Sequence, residues 1–364
     1  MKIARVRTLG YDLRYAHGEY VMSGDRRTTS LPSTIVEVET DEGRKGYGET
    51  CPLGTTYLPA HAEGARAALR ELAPALIGVD PRNLNAVNAA LDHALAGHAY
   101  AKAALDIACW DLLGQAAHLP VSTLLGGAHT TDFPLYQAIP LGPEDAMVEH
   151  VLDHKRAGIT RFQLKLGADP HADARRTEAV LDATGDDDLV IADANGGWRL
   201  HDATVAARAL ERHDRLLFEQ PCPTLEECLI IRERTTLPMV LDEVVTDVAT
   251  LLRARPAADA INLKLGRVGG LTKAKLLRDL AQQLGLRLTI EDSWGGDVTT
   301  AAVAHLAAST HPDHLLMASF MNDWNLDHCA GHQPRSHAGR GAAPTTPGLG
   351  IAVDPTALAL IHEH

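Results

Sequence analysis

The chain has 364 residues, too many for a bare α/β barrel of about 250 residues and too few for two of them. Its 45% hydrophobic content, free of low-complexity tracts, describes an ordered protein with a sizeable core. A formal net charge of −13 argues against nucleic acid or an anionic membrane as the main partner. The five cysteines have no zinc-type CxxC spacing, and their odd number resists a closed disulfide framework. The first residues, Met1-Lys2-Ile3-Ala4-Arg5-Val6, alternate like a strand and lack a signal-peptide core, and no run approaches the roughly 20 apolar residues of a membrane span. A cytoplasmic setting is the expectation.

Residues 1–128 read as an α+β capping domain. Ile3–Leu13 and Ser33–Thr40 carry strand patterning, Asp41-Glu42-Gly43 supplies a turn, and Gly46-Tyr47-Gly48-Glu49 is the return strand. Helical patterning follows at 61–77, 82–96 and 99–117, where Ala101, Ala104, Leu105, Ala108 and Leu112 keep one apolar stripe. Two loops, one around Tyr20–Gly24 and one spanning Thr50–Pro59, have the Gly and Pro content of defined but mobile covers over a site. Tyr57, in the second, is a candidate substrate-facing residue; a packed tyrosine between domains is its plainer alternative.

Between residues 129 and 340 short apolar runs recur, each stopping at an ionisable residue: Phe162–Lys165, Leu189–Asp193, Leu216–Glu219, Met239–Asp242, Ala260–Lys264 and Arg287–Asp292. The end residues are roughly 22 to 28 positions apart, the length of a strand with its crossover helix. With Phe133–Ile139 before them and His314–Ser319 after, they predict an α/β fold of the (β/α)8 type, a modified TIM barrel. Residues 341–364, including Pro347–Ile351, are expected to return to the capping domain.

In such a barrel the C-terminal strand ends carry the chemistry. An acidic residue at one strand end is usually solvated or capping a helix. Asp193, Glu219 and Asp242 occupy three consecutive units, and as hard oxygen donors they can converge on one Mg²⁺. Lys165 and Lys264 bracket the three. A lysine near a metal and other cations, in a partly dry mouth, has its pKa lowered toward that of a base. Two lysines on opposite sides of one substrate can remove and deliver protons, and a proton α to a carboxylate becomes removable when the resulting enediolate is stabilised by a metal.

The segments Gln163-Leu164-Lys165, Asp193-Ala194-Asn195, Glu219-Gln220-Pro221-Cys222, Leu241-Asp242-Glu243 and Lys264-Leu265-Gly266-Arg267-Val268-Gly269-Gly270 together resemble those of the enolase superfamily, muconate-lactonising subgroup. The resemblance spans essentially the whole chain. It implies Asp193, Glu219 and Asp242 as Mg²⁺ ligands and Lys165 and Lys264 as acid/base residues. The usual Lys-x-Lys has Gln163 as its first member here, so that position cannot tune Lys165 by repulsion. No histidine occupies the seventh strand end, which weakens an acid-sugar reading.

Within the subgroup, Thr50–Gly54 with Tyr57 and the Trp294-Gly295-Gly296-Asp297 loop are similar to enzymes acting on proline derivatives, namely dehydratases of cis-3-hydroxy-L-proline and 2-epimerases of hydroxyproline or proline betaine. That resemblance implies a small zwitterionic amino-acid substrate, a homo-oligomer, and dehydration to Δ1-pyrroline-2-carboxylate, with racemisation or epimerisation as the alternative. Asp292 is a candidate partner for the ring ammonium and Trp294 for packing on the ring; orienting a lysine and filling the core are their respective plainer roles. A non-catalytic ligand-binding barrel is the alternative from another class.

Overall fold

The computed structural model describes residues 1–364. Its first part is a four-stranded antiparallel sheet in the order Ala359–Glu363, Ile3–Arg14, Ser30–Thr40, Lys45–Thr50. Val6 lies opposite Val38 on one buried face and Leu9 opposite Ile35 on the other, the first pair packing in the capping domain's own core and the second in the main core. Helices Ala62–Leu72, Leu84–Ala94 and Ala99–Ala117 pack on the sheet. The third is buried almost all round and rich in alanine, which lets strand Lys45–Thr50 come close: a Cβ added at Gly48 would lie 1.8 Å from the Ala104 carbonyl oxygen. The helix expected over 61–77 stops at Leu72 and continues as a tighter 3₁₀ turn, Ala73–Leu76, around Pro74. That expected over 82–96 starts at Leu84, where the Asn83 side chain accepts the Ala86 amide at 3.1 Å.

The second part is an eight-stranded parallel sheet in sequential order: Gln137–Ile139, Arg161–Lys165, Leu189–Asp193, Leu216–Glu219, Met239–Leu241, Ala260–Lys264, Arg287–Glu291 and Leu315–Ala318. A parallel bridge between Leu135 and Ala318 brings the two edges together, so the sheet curls into a barrel. The first seven strands each lead into a helix, while the eighth leads into a 3₁₀ turn, Met321–Trp324. The run Phe133–Ile139 divides: Phe133–Pro134 pairs antiparallel with Arg340–Gly341, and only Gln137–Ile139 joins the barrel. Pro134 has no amide hydrogen for a central ladder, which fits this short outer pairing.

Strand alternation decides what the barrel encloses. Phe162 and Leu164, Val190 and Ala192, and Leu216 and Phe218 belong to the main core shared with the helices. The intervening Gln163 and Lys165, Ile191 and Asp193, and Leu217 and Glu219 therefore face the barrel interior. Ile191, Leu217, Val240 and Met317 form a buried apolar floor, and the ionisable residues stand above it at the C-terminal strand ends. No helix is long and apolar enough to cross a membrane.

Candidate active site

Parallel pairing puts Lys165 beside Asp193, Asp193 beside Glu219, and Lys264 beside Glu291. The Lys165 ammonium donates to Asp193 Oδ2 at 2.5 Å. Lys264 donates to Asp242 Oδ2 at 2.8 Å and lies 3.4 Å from Glu291 Oε1. Because Lys165 ends the second strand and Lys264 the sixth of eight, the lysines face each other across the mouth, with Asp193, Glu219 and Asp242 on the arc between them. All five are buried.

Each carboxylate is held by groups of fixed geometry. Gln163 Nε2 lies 3.0 Å from both oxygens of Glu219, and Asn262 Nδ2 donates to Oε1 at 2.7 Å. The Asn195 amide donates to Asp193 Oδ1 at 2.7 Å, from a left-handed backbone (φ 46°) that also aims the Asn195 side chain at Glu243, 3.2 Å away. Arg267 donates to Asp242 Oδ1 at 2.6 Å, and the Asp242 amide donates to Gln220 Oε1 at 2.9 Å.

Burial opposes the charge of both lysines, but the carboxylates outweigh it. Asp193 with Glu219 holds Lys165 well above the usual ammonium range, and Asp242 with Glu291 does the same for Lys264. Burial, reinforced by Asp193 and Asp242, pushes Glu219 well up; Asp242 resists its own burial because Arg267 and Lys264 hold it far down. Direct pairing with Asp193 and Asp242 thus favours the charged form of each lysine, whereas the lowering expected from the sequence requires a cation beside it.

Four buried carboxylates (Asp193, Glu219, Asp242, Glu291) and the half-buried Glu243 share this space with three cations, buried Lys165 and Lys264 and half-buried Arg267. Fully ionised, they leave two uncompensated negative charges, which in a dry interior would be prohibitive unless neutralised. Glu243 Oε2 and Asn195 Oδ1 are buried without hydrogen-bond partners. Three hard oxygen donors, two excess negative charges and unsatisfied acceptors nearby suit a hydrated divalent cation of the magnesium kind.

The capping loops close over this centre. Tyr57 donates to Glu243 Oε1 at 2.6 Å; its oxygen is 3.2 Å from Asp242 Oδ2 and 3.3 Å from Lys264 Nζ. Arg26 donates to Ser23 and to the Thr56 carbonyl, tying the two loops together. Tyr20 and Met22 of one loop and Leu53 and Tyr57 of the other border a cavity with Lys165 and Lys264 whose volume, about 20 Å³, admits the centre of about one water molecule. A substrate therefore enters only when loops or side chains withdraw. Grooves of about 460 and 410 Å³ border the 52–60 segment, the first lined in part by Pro52–Thr56 and the second by Pro52 and Leu58–Ala60.

Asp292 and Trp294 also border the cavity. The Asp292 oxygens accept the Gly266 and Ser293 amides, both at 2.7 Å, and burial pushes this carboxyl up to about 6. Trp294 is buried, donates to Asn325 Oδ1 at 2.9 Å, and meets Tyr20 edge to face at 5.1 Å. Thus Asp292 is fixed by backbone, and Trp294 belongs to an aromatic wall.

Several residues at the centre escaped functional assignment from the sequence. Gln163 and Asn262 each stand two positions before a lysine and so share its face; strand alternation is the signal that reveals them. Glu291, which also accepts a hydrogen bond from Tyr136, lay in the strand-end series without a role. Arg267 and Glu243 follow strand ends, where loop geometry hides their direction.

Comparisons with known proteins cover both parts of the chain. Residues 20–126 match the mandelate racemase / muconate lactonizing enzyme N-terminal domain, and residues 146–357 match the enolase C-terminal domain-like family. A cis-3-hydroxy-L-proline dehydratase from Roseibium aggregatum is 47% identical over 96% of each chain. An N-succinyl-L-Arg/Lys racemase from Bacillus cereus is 31% identical over 77% of this chain and 78% of its own. A mandelate racemase/muconate lactonizing enzyme-type structure from Roseovarius nubinhibens ISM, complexed with magnesium, superposes with a TM-score of 0.96 at 35% identity, covering 100% of both chains. The chain belongs to the enolase superfamily, in its muconate-lactonising subgroup.

Proposed function

We propose that the protein dehydrates cis-3-hydroxy-L-proline to Δ1-pyrroline-2-carboxylate. The observation that carries the reading is the pair Lys165 and Lys264, placed across the barrel mouth with three carboxylates between them; the 47% identity to a dehydratase of that substrate supports the choice of amino acid. Asp193, Glu219 and Asp242 are the residues that would hold Mg²⁺, which when bound supplies positive charge to a substrate carboxylate whose α-proton is being removed.

In cis-3-hydroxy-L-proline the hydroxyl and carboxylate share one ring face, so the α-hydrogen is on the other. One lysine, deprotonated, takes that hydrogen. The opposite lysine, protonated, gives a proton to the departing hydroxide, so the C2–H and C3–O bonds break on opposite faces and water leaves. The resulting enamine tautomerises to the cyclic imine. Asp292, anchored by two backbone amides, faces the ring ammonium, and Trp294 forms the wall against the ring carbons. Tyr57, closing the loop over Asp242 and Lys264, excludes water from the reacting atoms.

The same opposed pair can return a proton to carbon 2 from the other face, which is epimerisation, and the racemase relative keeps that second reading in view. The two are separated by supplying purified protein and Mg²⁺ with cis-3-hydroxy-L-proline and, separately, with trans-4-hydroxy-L-proline betaine and L-proline betaine. Imine formation from the first, abolished by a chelator and restored by magnesium, is the expected result. Inversion at carbon 2 of the betaines, with the first compound untouched, would transfer the assignment to an epimerase.

A further inference from the structure

Away from the lysine–carboxylate centre, three histidines converge. His150 and His154 are one turn apart on helix Glu144–Arg156, which follows the first barrel strand. His17 comes from the exposed turn between strands Ile3–Arg14 and Tyr20–Met22. The rings of His150 and His154 stack with centroids 4.8 Å apart, and His17 lies 5.5 and 5.4 Å from them. One ring nitrogen from each is within 4.8 Å of the other two.

Two histidines at i, i+4 on one helix plus a third from a distant part of the chain form a triangle of soft-to-borderline nitrogen donors. A tetrahedral ion at about 2.0–2.1 Å from each nitrogen needs nitrogens about 3.3 Å apart, and modest side-chain rotation closes that gap. Burial and mutual repulsion hold His150 and His154 near pKa 4, so at neutral pH both rings carry a free lone pair. Elsewhere in the chain His305, His314, His328 and His332 spend ring nitrogens on backbone or carboxylate partners. The three rings of this cluster are bonded to no protein group in that way.

Position gives the cluster a consequence. Three residues after His17 comes Tyr20, which packs on Trp294 and borders the cavity between Lys165 and Lys264. We propose that His17, His150 and His154 bind one late-transition divalent cation, with zinc as the reference ion, and that the bound ion fastens the capping segment carrying Tyr20 to the barrel helix Glu144–Arg156. Imidazole donors favour such ions over magnesium, so this site is chemically distinct from the carboxylate centre.

The test is a zinc chloride titration of the metal-stripped full chain, kept in saturating magnesium, against a chromophoric zinc indicator, with melting temperature followed in parallel. One equivalent of zinc per chain is expected, together with a rise of several degrees in melting temperature. His154→Gln and His17→Gln should each weaken binding by at least about tenfold and abolish the rise. Because residue 17 is on an exposed turn, His17→Gln reports even if His154→Gln folds poorly. Zinc uptake unchanged in His17→Gln, or no stoichiometric uptake by the wild-type chain, would overturn the site.

Discussion

The Tyr57 hydroxyl donates to Glu243 Oε1 at 2.6 Å, so a phenol on a capping loop is bonded to the carboxylate that immediately follows Asp242 in the barrel. The bond closes the loop over the lysine–carboxylate centre and gives Glu243, whose burial beside Asp242 and Asp193 pushes it up to about 7, one of its two side-chain donors. Tyr57→Phe keeps the ring that faces Lys264 and Arg26 but removes this donor. A fall in kcat/KM of about tenfold is expected, equivalent to about 1.4 kcal/mol and in the range for one hydrogen bond to a charged partner. Steady-state kinetics with a circular dichroism control reads it; an unchanged kcat/KM would remove Tyr57 from the site.

Glu219 sits between Asp193 and Asp242, supported by Gln163 and Asn262. Glu219→Gln removes a proposed metal ligand and a buried negative charge together. Magnesium affinity, read by calorimetry, should fall by at least about tenfold. In magnesium-free buffer the variant should melt above the wild type, because repulsion among the carboxylates is relieved; with magnesium that order should reverse.

Fully buried His305 accepts the Ser122 amide at Nδ1 and faces the Leu349 carbonyl through Nε2, both at 3.1 Å, which specifies the neutral ring with its hydrogen on Nε2. Burial lowers its pKa to about 4. Its folded pKa lies below the unfolded value, so its contribution is present above about pH 6.5 and is lost as pH falls toward 4. The full contribution is on the order of 3 kcal/mol, since one pKa unit is about 1.36 kcal/mol. Urea unfolding at pH 7 and pH 5 should show a drop in the wild type that is smaller in His305→Asn.

At Gly48 the helix Ala99–Ala117 approaches so closely that a Cβ would overlap the Ala104 carbonyl. Gly48→Ala must push the helix from the sheet, at a cost of about 3 kcal/mol or more. Denaturant unfolding checks this; a loss under about 1 kcal/mol would mean that the interface yields easily.

How much of this was legible in the sequence depends on how local each signal is. Lys165, Asp193 and Glu219 end apolar strands at regular spacing, and parallel pairing then sets them side by side. Glu49 was read only as part of a strand. Its carboxylate accepts from Tyr11, Ser33 and the amides of Gly296 and Thr299, joining the capping sheet to the loop after the seventh barrel strand. Its barrel partners lie some 250 residues away, and no periodicity encodes such contacts. Arg267 was hidden differently: a charge just past a strand is usually solvated, and only the short helical turn Leu265–Val268 brings it back onto Asp242.

The most direct test of the opposed-lysine mechanism is proton NMR in deuterated water with Mg²⁺ and cis-3-hydroxy-L-proline, comparing wild type, Lys165→Ala and Lys264→Ala. The wild type should convert substrate to Δ1-pyrroline-2-carboxylate. The variant lacking the base should leave the α-hydrogen in place, and the variant lacking the acid should exchange it for deuterium while losing little hydroxide. Dehydration at the wild-type rate by either variant, or inversion at carbon 2 without loss of water by the wild type, would contradict the mechanism.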